Sequence, residues 1–87
     1  MFLLVRNNDN LTVNIEKDYL KLLNVFATNL KSIRSSKGLT QENMTQFGFN
    51  YRHYQKLESG KHAPSLYTLV RLAKILKVRP EDFLAAI

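Results

Sequence analysis

The chain has 87 residues, of which 45% are hydrophobic, so it holds one small domain with a real core and not a disordered tail. It has no cysteine, which excludes disulfides and thiolate metal sites as braces of the fold and agrees with a reducing cytoplasm, the expected compartment. The net charge is +6, and its distribution says more than its size. Ten basic residues (Lys31, Arg34, Lys37, Arg52, Lys56, Lys61, Arg71, Lys74, Lys77 and Arg79) fall in one stretch that contains two acids, Glu42 and Glu58. Basic charge gathered in the body of a small domain is the electrostatic footprint of a polyanion binder.

At the start, Met1 to Val5 is apolar for five residues, with no basic stretch before it and no long apolar run after it. This predicts neither a signal peptide nor a membrane span, which needs about 20 apolar residues. Phe2-Leu-Leu-Val5 and Leu11-Thr-Val-Asn-Ile15 are β-prone, and Arg6-Asn-Asn-Asp-Asn10 between them tolerates turn conformations. Together they predict a β-hairpin, read as an extension over residues 1–17, ahead of a helical domain over residues 18–87.

From Glu16 onward the apolar period is helical: Tyr19, Leu22, Leu23, Phe26, Leu30 and Ile33 recur at three- and four-residue spacing. The spacing fits one helix over residues 18–36 or two pieces broken near Asn24. Gly38, Gly48 and Gly60 each stand where a helical pattern stops, as residues suited to a left-handed C-cap do. Pro64 and Pro80 each stand at or just before a helical start, where a missing N–H costs nothing. These marks predict four more helices: residues 41–47 capped by Thr40, 51–59 capped by Asn50, 66–77 capped by Ser65, and 80–86, with Glu81 and Asp82 in its first turn. In the fourth, the stripe Leu66, Leu69, Ala73 and Leu76 reads as core. The apolar end Phe83-Leu-Ala-Ala-Ile87 fits either core or a dimer contact.

The second and third of these helices are short and joined tightly around Gly48-Phe-Asn50, the signature of a helix-turn-helix. The segments Leu39-Thr-Gln-Glu42, Gly48-Phe-Asn50, Leu57-Glu-Ser-Gly-Lys61, Pro64-Ser-Leu66 and Thr68-Leu-Val-Arg-Leu-Ala-Lys-Ile-Leu76 resemble the Cro/lambda-repressor-like (Xre-type) helix-turn-helix family. The resemblance runs from about Phe26 to Leu84. It implies an all-α, five-helix DNA-binding domain, here carrying the short N-terminal hairpin. The chain departs from the family pattern in having one residue fewer between Gln41 and Gly48, which bears on the angle between the two helices. Met44, Phe47 and Phe49 are the expected apolar anchors there. Thr45 stands where the family commonly has alanine.

The resemblance also assigns roles. Tyr54 and Leu57 lie three apart and should face the core, leaving Tyr51, Arg52, Gln55 and Lys56 outward at the start of a recognition helix, as base-reading residues. Thr40 and Gln41 open the helix whose N-terminus grips a phosphate in the family. Asn50, His53, Lys61 and His62 complete the expected phosphate contacts. Arg34 and Glu58 match a structural ion pair. His62 has His53 as a distant histidine and no carboxylate at ligand spacing, so no metal site is expected.

Double-stranded DNA and a second copy of the chain are the expected partners, and no cofactor, small-molecule ligand or membrane is. No paired carboxylates, nucleophile arrangement or metal cluster points to an enzyme. The function implied is a transcriptional regulator, a repressor or controller, working as a homodimer on a two-fold operator. The alternative is an antitoxin or anti-repressor-like protein-interaction module on the same fold.

Overall fold

The computed structural model describes residues 14–86, which are all-helical and contain no strand. The first helix, α1, runs Ile15–Ser36 without a break. Asn14 caps it by accepting from the Lys17 N–H at 3.0 Å, and Glu16 and Asp18 favour its positive end. The expected hairpin lies outside the described residues except at its end, and there it is corrected. Ile15 belongs to α1, so the helix starts inside the expected extension.

The next segment, Glu42–Phe47, is a 3-10 helix and not the α-helix expected over residues 41–47. Its bonds reach back three residues, as in Met44 N–H to Gln41 O. Thr40 and Asn43 bond reciprocally across its entrance, where Gln41 and not the expected Thr40 is the capping residue: the Thr40 hydroxyl accepts from the Asn43 N–H and the Asn43 amide oxygen from the Thr40 N–H. A 3-10 helix rises about 2.0 Å per residue against about 1.5 Å for an α-helix, so fewer residues span the same gap. The segment ends at Gly48, whose φ of 92° belongs to the left-handed region.

Two α-helices follow: α2, Tyr51–Glu58, capped by Asn50, and α3, Leu66–Leu76, capped by Ser65. The last element, Pro80–Phe83, is a single 3-10 turn with proline at its start, so a fifth α-helix does not form. Five helical segments therefore resolve into three α-helices and two 3-10 segments among the described residues.

Leu23, Phe26 and Leu30 of α1, Met44, Phe49, Tyr54, Leu57, four α3 residues (Leu69, Leu72, Ala73 and Leu76) and Phe83 form one core. Phe26 and Phe83 meet edge-on at 6.0 Å. The buried Asn29 amide donates to the carbonyls of Phe83 and Ala85, both at 2.9 Å, and so ties the C-terminal end to α1. Two expected core positions lie outside it. Leu66 is 82% exposed, because α3 begins there before reaching the core, and Phe47 is 43% exposed, with Phe49 taking the inward place beyond the turn.

Candidate nucleic-acid interface

The α2 helix divides sharply by face. Tyr54, Leu57 and Glu58 are buried, while Tyr51, Arg52, His53 and Gln55 are exposed and Lys56 is half-buried. The Asn50 side chain accepts from the His53 N–H at 3.0 Å, which fixes the start of the helix. After α2 the chain turns back on it: the N–H groups of Lys61 and His62 both donate to the Lys56 carbonyl, at 3.0 and 3.2 Å. Arg52, Gln55, Lys56, Ser59 and Lys61 then line one open depression of about 330 Å³. Residues assigned separately to bases and to phosphates are thus brought onto one cationic surface.

His53 and His62, distant in sequence, have ring centroids 5.9 Å apart. Among the described residues no group of three or more His, Cys, Asp or Glu side chains is placed to hold a metal. Thr40 is exposed at the entrance to the 3-10 helix, but Gln41, not Thr40, occupies the position before its first residue.

Beneath the surface lies the Arg34–Glu58 pair. Arg34 Nε donates to Glu58 Oε2 at 2.6 Å and Nη2 to Oε1 at 2.9 Å, a two-pronged contact with both side chains buried. Nη1 of Arg34 also donates to the Leu39 carbonyl at 2.7 Å. The Tyr54 hydroxyl donates to Oε2 and the Gln41 amide to Oε1, so Glu58 is fully satisfied. Burial by itself raises the Glu58 carboxyl, but hydrogen bonds from Arg34, Tyr54 and Gln41 outweigh it and hold the group below the usual carboxylate range. The hydrogen bond to Glu58 raises Arg34 further. Burial first, and Glu58 second, push the Tyr54 phenol up.

Gln41 thereby does more than its sequence position suggests. Its amide nitrogen serves Glu58, and its oxygen faces the Gln55 amide at 3.5 Å, which links the exposed surface to the buried pair. The engagements of Gln41, Tyr54 and Asn29 were not read from the sequence. A tyrosine at a core position of an amphipathic helix is the one signal that was present, since a buried hydroxyl demands a partner.

Two short helical segments hinged on a left-handed glycine, with the second presenting a cationic face, define a helix-turn-helix domain. A family profile described as helix-turn-helix matches residues 30–83. The chain belongs to the lambda-repressor-like (Xre-type) helix-turn-helix family. It is also similar to the SPbeta prophage-derived uncharacterized HTH-type transcriptional regulator YonR of Bacillus subtilis (strain 168). The two are 44% identical over 61 residues, covering 69% of this chain and 56% of that protein. The chain thus spans little more than half the length of this curated relative. No solved structure matches the chain at a significant level. Among the described residues no helix is long and apolar enough to cross a membrane.

Proposed function

We propose that this chain is a sequence-specific DNA-binding transcriptional regulator, a repressor or controller, acting as a homodimer on a two-fold operator. The observation that carries the reading is the outward face of α2: Tyr51, Arg52, Gln55 and Lys56 project from a helix whose opposite face is locked into the core. A helix held in this way enters the major groove with its N-terminal residues against base edges. Arg52 stands in the first turn, and its fork matches the O6 and N7 acceptors of guanine. Thr40, Gln41, Asn50, His53, Lys61 and His62 surround this face and serve the phosphates. The name of the relative, an HTH-type transcriptional regulator, points the same way.

Selection of bound DNA from a random pool tests this, followed by binding of two variants. Arg52→Ala should cost about 1–3 kcal/mol and relax preference at one guanine per half-site. Lys61→Ala should weaken all sequences alike and lower the salt slope by about one. A pool that shows no enrichment would remove the sequence-specific reading.

A second reading, a protein-interaction module of the antitoxin or anti-repressor kind, is favoured by one observation. Tyr19, Leu22, Leu66 and Leu84 edge an apolar groove floored by Leu23, Phe26 and Leu69. Association with a protein that ignores salt, without DNA binding, would select it.

A further inference from the structure

We propose that Arg71 is a positioning residue for the reading surface: from α3 it clasps the turn of the helix-turn-helix and sets the direction in which α2 presents Arg52 and Lys56. The inference rests on reading that surface as DNA-binding. Arg71 Nη2 donates to the Phe47 carbonyl at 3.0 Å. The same guanidinium lies 4.1 Å from the centroid of the Phe49 ring.

One planar group therefore holds both sides of the turn. Phe47 closes the 3-10 helix, so its carbonyl is one that no N–H of that helix serves, and a cation there suits the negative end of the helix. Phe49 is buried and meets Tyr54 edge-on at 5.7 Å, and Tyr54 donates to Glu58. The clasp is thus continuous with the buried pair beneath α2. Gly48 lies between the two contact points, and a Cβ there would stand 3.0 Å from Nη2. The guanidinium fills the space that the glycine leaves. Arginine can stack on a ring and donate in the ring's neighbourhood at once, whereas an ammonium is a compact, strongly hydrated point charge. Arg71 belongs to the basic excess read from the sequence, yet its contacts commit it to the turn.

Arg71→Lys and Arg71→Met in the full chain provide the test, read by amide hydrogen exchange and by discrimination between the selected site and its single-base variants. Arg71→Lys should leave the salt slope unchanged. It should speed exchange over residues 48–54 about fivefold, with discrimination falling by a similar factor, from the loss of stacking and one hydrogen bond. Arg71→Met should do the same. The proposal is overturned if Arg71→Lys matches the parent in both readouts while Arg71→Met lowers the salt slope by about one for every sequence, the mark of a plain phosphate contact. Faster exchange in a chain that selects no DNA sequence would uphold the clasp and reject the DNA reading.

Discussion

Glu58 accepts from α1 through Arg34, from the segment before the 3-10 helix through Gln41, and from its own helix through Tyr54. Removing it leaves a buried guanidinium without its counter-charge, held only by the Leu39 carbonyl, and a buried hydroxyl without its acceptor, so Glu58→Ala should cost about 3–5 kcal/mol, read from urea unfolding. An unchanged melting temperature would show that the pair contributes nothing. The same site sets a pH dependence. Glu58 sits below its usual value in the fold and returns to it on unfolding, so the unfolded chain takes up the proton more readily. Its contribution is therefore full above about pH 4.5, the ordinary glutamate value, and is lost as pH falls through the lower folded value. Tyr54 works in the opposite sense: its phenol is raised in the fold, so its contribution is full below about pH 10 and is lost as pH rises beyond that. Stability measured across pH should be flat between these limits and fall on both sides. In Glu58→Gln the acid arm should shrink, leaving the part due to Asp82, whose carboxyl is lowered first by the Arg79 N–H. The Arg34–Glu58 pair was legible through the family resemblance, but its two further donors were not, because which amide or hydroxyl reaches a carboxylate is settled only by packing.

Among the elements, starts and stops were legible wherever a residue type has a local mechanism. Gly38, Gly48 and Gly60 all take positive φ, and the side chains of Asn50 and Ser65 cap their helices. Helix type was not legible. Residues 42–47 have no composition that separates 3-10 from α. The exit from α3 was misread by one residue for a related reason. No glycine marks it, and Lys77 itself takes the left-handed conformation, with φ 59° and ψ 47°. A side chain with a Cβ pays about 1–2 kcal/mol for that conformation, while glycine gives part of the relief back as unfolded-state entropy. Lys77→Gly should therefore stabilise the chain by about 0.5–1 kcal/mol. A lower melting temperature would mean that the Lys77 side chain makes up for its own strain.

For the whole molecule, the proposed function turns on how many copies meet the DNA. One α2 offers a first turn and a little more to the groove, enough for a few base pairs, whereas a two-fold pair places two such helices about 34 Å apart on one face of the duplex. The sequence reading put the seam at the hairpin, the apolar C-terminus or both. The hairpin residues before Asn14 and the final Ile87 lie outside the described structure, and Phe83 is core, which leaves Leu84, Ala85 and Ala86, all exposed, from the described C-terminal end. To it the structure adds an apolar surface on α1 and at the start of α3. Leu66 is 82% exposed and Tyr19 and Leu22 are about half exposed, and with Leu84 they line one apolar groove. Single exposed apolar residues are ordinary, but a contiguous patch rimmed by charge marks an interaction surface. Leu66 follows the Lys61–Ser65 link that leaves the reading surface, so a seam there would set the spacing of the two reading helices directly. Leu66→Glu is the variant to make. The side chain is 82% exposed, and a carboxylate in the first turn of α3 suits that end of the helix, so the fold should survive. The parent chain should sediment as a dimer and bind a site with a dyad, two chains per duplex. Leu66→Glu should sediment as a monomer with an unchanged melting temperature at low concentration, and should retain half-site preference at reduced affinity. Selected sites without a dyad, each holding one parent chain, would rule the homodimer out.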